Sequence, residues 1–198
     1  MVRYLLPLLL ICIGLSSCGT APTVVVVDPD LGYQTTFSVT KRDSTFHGPY
    51  EKLDQNKALL ERGNYIVGRL NGIRELFYPT GKVKVRERYK DGQITDLYEY
   101  FHPNGNVELK GYYINGEMYG VWRKYLEDGS LLDEVLMSKN EEMGPFTEYY
   151  KDGKIQAEGT YLHGPNEDGV LKLYDESGAL YKTMWCDSGR CHTTWEKK

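Results

Sequence analysis

The chain of 198 residues carries 24 Lys and Arg against 28 Asp and Glu, a formal net charge of −4, and its length allows one large or two small domains. No basic stripe is present to neutralise a phosphate backbone, so we expect no nucleic acid among its partners. With 40% hydrophobic and 26% charged residues, the composition is that of neither an integral membrane protein nor a disordered chain. Its 17 Tyr and 21 Gly favour β-structure, because tyrosine suits half-buried strands and glycine suits turns.

The first segment has the form of an export signal. Arg3 precedes an apolar run over residues 5–15 that is too short to span a bilayer but fits a signal peptide, so residues 1–17 are excluded from the fold. The junction Leu15-Ser16-Ser17-Cys18 resembles the lipobox of bacterial lipoproteins, which implies cleavage before Cys18, a lipid such as palmitate on that cysteine, and a membrane anchor. An ordinary secretory peptide with an incidental Cys18 is the alternative. By the same resemblance, Gly19 implies the outer membrane if the cell has two membranes.

Two short segments separate this signal from the main body of the chain. Residues 18–33 are predicted to be a tether, because Pro22 and Asp28-Pro29 punctuate it, although Val24 to Val27 could form a short strand. Residues 34–48 contain Phe37 and Val39 in strand-like alternation. We interpret them as an N-terminal half-repeat that covers the first edge of the array.

A repeat of 24 residues organises residues 49–198. Four blocks have this length, a fifth has one extra residue, and the last includes a C-terminal cap. The blocks are residues 49–72, 73–96, 97–120, 121–144, 145–169 and 170–198.

Four positions of the repeat keep an apolar or aromatic character, with Arg74 as the exception. Position two holds Tyr50, Arg74, Tyr98, Trp122, Phe146 and Leu171, and position five holds Leu53, Phe77, Phe101, Tyr125, Tyr149 and Tyr174. Position eleven holds Leu59, Val83, Val107, Leu131, Ile155 and Leu180, and position seventeen holds Tyr65, Tyr89, Tyr113, Met137, Tyr161 and Cys186. We predict that these positions form the core. Glycines at 63, 111 and 159 suggest that an aromatic ring lies over bare backbone there.

Each block also contains two turn signals, so it is expected to form two strands. The first turn is Asn-Gly or Asp-Gly in several blocks, a pair that tolerates the positive φ angles of tight hairpins. The second turn is marked by Gly68, Gly92, Gly116, Asn140, Gly164 and Gly189. The predicted fold is therefore all-β, an elongated antiparallel meander of tandem hairpins with six copies of the repeat.

The last turn lies between Cys186 and Cys191. In an oxidising compartment two cysteines across so short a turn favour a disulfide, which would keep the terminal edge from fraying. A metal site built from both cysteines, His192 and Asp187 is the alternative.

The segments around Asn104-Gly105 and Asn115-Gly116, and the run Gly144-Pro145-Phe146, resemble the MORN-repeat variant family of bacteria over roughly residues 44–192. The resemblance implies a repeat fold without stating a function. Members are often exported lipoproteins, and many carry an antitoxin label. The resemblance therefore adds a second functional hypothesis, an antitoxin or immunity protein that neutralises a toxin.

The sequence contains no pattern typical of catalysis. The four histidines, His47, His102, His163 and His192, fall at different repeat positions, and no phosphate loop or nucleophile elbow is present. We expect no enzyme activity, cofactor or metal. Aromatic residues outside the core positions are the candidates for an exposed binding face, unless they only cover strand edges: Tyr78, Tyr112, Tyr119, Tyr150 and Tyr181. The leading hypothesis is a monomeric cell-envelope lipoprotein that binds or scaffolds a protein or glycan partner.

Overall fold

The computed structural model describes residues 21–198 and is all-β, with no helix in that part of the chain. No helix that could cross a membrane is found among these residues. The sixteen strands are β1 (Thr23–Val27), β2 (Gln34–Val39), β3 (Phe46–Leu53), β4 (Leu59–Ile66), β5 (Arg69–Leu70), β6 (Gly72–Phe77), β7 (Val83–Lys90), β8 (Gln93–Phe101), β9 (Val107–Ile114), β10 (Glu117–Tyr125), β11 (Leu131–Ser138), β12 (Glu141–Tyr149), β13 (Ile155–Tyr161), β14 (Gly169–Tyr174), β15 (Leu180–Asp187) and β16 (Arg190–Glu196). The predicted fold class, an all-β antiparallel meander of tandem hairpins, is confirmed.

The strands follow chain order within each of two compact units, which divide between Gln93 and Ile94. Unit 1 has the order β1-β2-β3-β4-β6-β7, with the short β5 paired to β4. Unit 2 runs from β8 to β16 without a crossover. Neighbouring strands pair antiparallel, as expected for a chain in which short turns connect successive strands.

The two turns of each repeat have different geometries. In the first turn one residue has a positive φ, which is Lys57 in the first repeat and a glycine in the others, for example 101° at Gly105. The strand beside it carries a register shift. Asn104 instead accepts the backbone N–H of Asn106 through its side chain. A single positive φ is enough here, because a three-residue loop with a bulge needs only one such residue.

The second turn has positive φ at two consecutive residues, with 51° at Asn115 and 86° at Gly116. This is the two-residue hairpin that fits the twist of the flanking strands. Its second residue also donates its backbone N–H to a carbonyl 22 residues earlier, as Gly116 does to Ile94. The same bond joins Gly68 to Phe46, Gly92 to Leu70, Asn140 to Met118 and Gly189 to Glu167. Five of the six second turns, all but the one at Gly164, therefore join one repeat to the preceding segment of the chain.

In each unit, one face of the sheet carries all the buried apolar side chains of the described residues, and it is called here the packed face. They are Val39, Tyr50 and Val85 in unit 1 and Trp122, Met137, Phe146, Ala157 and Cys186 in unit 2. Every residue at repeat positions two, five, eleven and seventeen is buried or half-buried. The predicted core is confirmed at positions two and seventeen, which supply buried side chains of the packed face. It is wrong at position five, because Tyr149 and Tyr174 donate their hydroxyls to Glu134 and Glu158 on the opposite face.

Aromatic rings cover bare glycine backbone on the packed face, as predicted. Tyr50 is paired across the strands with Gly63, and Phe146 with Gly159. A Cβ atom built on either glycine would lie 2.7 Å from a ring carbon of its partner. At Gly111 the covering ring is that of Trp122. A glycine at each of these positions makes the space that the ring fills.

Arg74, the exception at position two, is accommodated by acidic partners. Its guanidinium lies 2.9 Å from Glu61 and 3.0 Å from Glu87. Glu87 occupies the repeat position that is glycine opposite Tyr50 and Phe146. Burial raises the pKa of the Glu61 carboxyl, but hydrogen bonds from Arg74 and Tyr50 outweigh it, so that pKa lies below its ordinary value. An ion pair thus replaces the ring and glycine at this repeat.

The N-terminal edge is formed by the short strand that the sequence left open, and not by the half-repeat. The valines of the predicted tether form β1, which pairs with β2 from Thr23 opposite Ser38 to Val27 opposite Gln34. Asp28 closes the connection by accepting the backbone N–H groups of Asp30 and Leu31. Residues 23–27 therefore belong to the sheet, and β1 rather than the half-repeat 34–48 lies at the edge. Strand propensity of the valines and this Asp turn explain the correction.

Candidate functional site

The face opposite the packed face, called here the open face, carries an apolar residue at position one of every repeat. These residues are Pro49 and Ile73 in unit 1 and Leu97, Val121, Pro145 and Val170 in unit 2, and all six are exposed. They directly precede the core residues of position two, and side chains alternate between the faces of a strand. An apolar residue that repeats on the wet side of a strand has no role in the core.

In unit 2 the cross-strand partners extend this pattern into a continuous row. Leu97 is opposite Tyr112, Val121 opposite Leu136, Pro145 opposite Thr160 and Val170 opposite Trp185. The exposed fractions are 38% for Leu97, 54% for Tyr112 and 50% for Val170. These eight residues are called here the apolar row. Thr160 is the polar member of the row, and Leu136 is half-buried. Exposed apolar residues that line up in this way are typical of interaction sites.

Charged side chains flank the apolar residues on the open face. In unit 1 Glu75 is buried between Arg62, at 2.6 Å, and Arg86, at 3.0 Å. Burial raises the pKa of the Glu75 carboxyl, but the hydrogen bonds from both arginines prevail and hold it below its ordinary value. In unit 2 Arg123 contacts Glu134 at 3.0 Å and Lys172 contacts Glu158 at 2.8 Å. Within each of these ion pairs the opposite charges neutralise each other beside the apolar residues.

Two shallow concavities lie on the open face at the same place in the repeat. The one in unit 1 has a volume of about 540 Å³ and is lined by Pro49, Arg62, Asn64, Ile73 and Glu75, among others. The one in unit 2 is about 270 Å³ and lies around Pro145, Thr147, Glu158 and Val170. Both are open hollows between strands, and their shape suits surface binding better than enclosure of a substrate.

The five tyrosines predicted as a binding face differ in their exposure. Only Tyr112 is exposed, and it lies within the apolar row. Tyr119 is its half-buried cross-strand neighbour. Tyr78, Tyr150 and Tyr181 are half-buried, and the Tyr150 hydroxyl donates to the carbonyl of Tyr174 at 2.8 Å. The structure therefore assigns Tyr150 to the alternative role of covering strand ends.

The predicted disulfide is present between Cys186 and Cys191, which face each other across β15 and β16. A metal site at these cysteines would need free thiolates, so the disulfide excludes that alternative. Across residues 21–198, no three His, Cys, Asp or Glu side chains are placed to hold a metal ion. His102 illustrates the dispersed histidines, since its ring contacts the Tyr125 carbonyl at 2.9 Å and Glu108 at 3.3 Å within its own sheet.

The signal peptide 1–17 and the lipidation site Cys18 lie outside the described residues. The apolar row was not predicted from the sequence, because the prediction considered only the four core positions of the repeat and not position one. The signal was available, since all six residues at that position are Pro, Ile, Leu or Val.

Three segments of the chain, residues 70–91, 97–115 and 144–163, match the family model of the MORN repeat variant. No curated protein matches the chain. Among solved structures 31 chains are similar. One is the crystal structure of a mutant of S. aureus TarM in complex with Fondaparinux, alpha-GlcNAc-glycerol and UDP, with 15% identity and a TM-score of 0.29 over 61% of this chain and 21% of that chain. The matched part is about a fifth of that structure, and a similarity of this size carries no argument.

Proposed function

We propose that this chain, a member of the MORN repeat variant family, is a non-enzymatic, membrane-anchored lipoprotein that binds or scaffolds a protein or glycan partner in the cell envelope. The observation that carries the proposal is the apolar row of unit 2. Exposing Leu97, Val121 and Val170 costs free energy in water, at about 25 cal/mol for each Å². A partner that covers them would recover that free energy.

The arrangement of the row supports binding over a broad surface. Successive position-one residues lie two strands apart, about 10 Å, with their cross-strand partners between them. The ion pairs beside the row, such as Arg123 with Glu134, are positioned to form the polar rim that surrounds apolar contacts in protein interfaces. Anchoring through Cys18, as the lipobox implies, would keep this surface at the membrane.

Site-specific photo-cross-linking in the producing cell tests the proposal. A photoreactive amino acid replaces Leu97 or Val121 in the row, and Val67 in unit 1 serves as the control, since it is 69% exposed but lies at a turn. We expect the same discrete adduct from positions 97 and 121 and none from 67. Fractionation of wild type beside Cys18→Ala tests the anchor, and the variant should leave the membrane fraction. Equal or absent cross-linking at all three positions would contradict the binding role.

A further inference from the structure

The C-terminal hairpin presents two exposed tryptophans on the open face. Trp185 of β15 is 49% exposed and Trp195 of β16 is 46% exposed, whereas the third tryptophan, Trp122, is buried at 3%. Trp185 is opposite His192, and Trp195 is opposite Thr183, two residues before Trp185. Both indoles therefore project from the same side of the hairpin. Among the described residues, neither packs against another aromatic ring.

The spacing of the two indoles follows from the strand register. Trp195 is offset from Trp185 by one strand and two residues, which puts their Cα atoms about 8 Å apart. The disulfide between Cys186 and Cys191 joins the same two strands next to Trp185, on the packed side. The disulfide restrains the two strands that carry the indoles, which lowers the entropy cost of binding.

Hydroxyl groups and paired charges surround the indoles. The Thr183 and Thr194 hydroxyls lie 2.9 Å apart, and Thr194 also donates to the Thr183 carbonyl. The nearest charged residue on β14, Lys172, is paired with Glu158 at 2.8 Å. The patch therefore offers two flat apolar faces with hydroxyl hydrogen-bonding groups between the strands. The charged residues beside it are of opposite sign, Lys172 with Glu158 and Asp187 opposite Arg190.

We infer that this indole pair is a binding site for a neutral, unbranched oligosaccharide of gluco-configured pyranose rings. Such a ring directs its axial C–H bonds at both faces, and those weakly positive hydrogens are attracted to the negative face of an indole. Its equatorial hydroxyls lie at the rim, where threonine hydroxyls can reach them. The inference rests on the proposed function and names the glycan class for one end of the same open face.

The exposed area of the two indoles, of which Trp185 is also the last member of the apolar row, suits two sugar rings better than a protein. The exposed parts of the two indoles amount to roughly 240 Å², since a tryptophan side chain carries about 250 Å². A stable protein interface needs about 800 Å² from each partner. Two stacked sugar rings match the smaller area.

Titration with cellohexaose and with chitohexaose, followed by tryptophan fluorescence and calorimetry, tests the site. We expect saturable binding that Trp185→Ala and Trp195→Ala each weaken about ten-fold or more. The control Val67→Ala truncates a 69% exposed apolar side chain outside the apolar row and should leave the affinity unchanged. Absence of saturation with both sugars at millimolar concentration would overturn the inference, as would binding that survives both tryptophan variants.

A second measurement does not depend on variants. N-bromosuccinimide should oxidise the two exposed indoles of the wild-type protein and spare the buried Trp122, and saturating hexasaccharide should protect both. Unprotected oxidation would also overturn the inference. Failure here with intact cross-linking at 97 and 121 would leave the proposed function standing, because those positions lie outside the indole pair.

Discussion

Tyr50 lies over the bare backbone of Gly63, so closely that a Cβ atom on that glycine would be 2.7 Å from the tyrosine Cε1. The two residues belong to adjacent strands, 13 positions apart in the repeat. The same relationship recurs between Phe146 and Gly159. The repeat therefore requires a glycine opposite the aromatic ring, because a side chain there would occupy the space of the ring.

Gly63→Ala is expected to destabilise the protein by about 1–3 kcal/mol, because the added methyl group forces the Tyr50 ring out of its position. Urea denaturation measures the loss. The control is the same substitution in a Tyr50→Ala background, where the ring is absent and the penalty should largely disappear. An equal loss in both backgrounds would show that backbone properties of glycine, and not the ring, set the requirement.

Arg74→Phe should destabilise unit 1 by about 2 kcal/mol, because Glu61 and Glu87 lose the guanidinium that pairs them. Adding Glu87→Gly should restore part of this stability, since the pair then matches Phe146 and Gly159. The coupling between the two substitutions, measured in a double-mutant cycle, should be favourable. Strictly additive effects would mean that the residue at position two and its cross-strand partner contribute independently to stability.

Two carboxylates should give pH effects of opposite sign. Burial, with Asp133 and Glu167 nearby, raises the pKa of Glu148 above 4.5. Protonation therefore favours the folded state, and its contribution is present below pH 4.5 and is lost as pH rises through the folded pKa. Glu148→Gln should raise the urea midpoint at about pH 7 and leave it nearly unchanged at about pH 3.

Glu75 is the matched comparison, because its folded pKa lies below 4.5 through Arg62 and Arg86 despite its burial. Its stabilising contribution is present above pH 4.5 and is lost as pH falls through the folded pKa. Glu75→Gln should therefore lower the urea midpoint at about pH 7, with little effect at about pH 3. The same sign for both variants at neutral pH would contradict these assignments.

Removal of the disulfide by Cys186→Ser with Cys191→Ser should cost about 2 kcal/mol, because the closed loop is short. Hydrogen exchange should locate the loss in β15 and β16. The amides of β9 and β10, which are far along the sheet order, provide the internal reference. Uniform loss of protection across unit 2 would show that the bond stabilises the whole unit instead of its terminal edge.

The repeat made much of this fold predictable from the sequence. Period-two alternation with Tyr, Phe or Trp at position two identifies the packed face, and the glycine 13 residues later identifies what the ring covers. The disulfide between Cys186 and Cys191 was equally predictable, since only a short turn separates the two cysteines. These features depend on residues that are close in sequence or repeated in register.

Other features depended on information that the sequence pattern does not carry. Asn104-Gly105 suits two hairpin geometries, and the bulge beside Phe101 decides between them. Leu97 and Val121 alternate with core residues, but their exposure depends on whether a second layer covers that face. The tyrosines were predicted as individual candidates, whereas the exposed apolar surface follows one position through all the repeats.

The start of β1 at Thr23 sets the reach of any anchor on Cys18. Only residues 19–22 separate the two, so the span is at most about 17 Å even when fully extended. A lipid on Cys18 would then act as a short pivot, with the valine edge of β1 held at the level of the headgroups. The anchored protein could then rotate about Cys18 but could not move far from the membrane surface, so a partner would have to lie close to that surface.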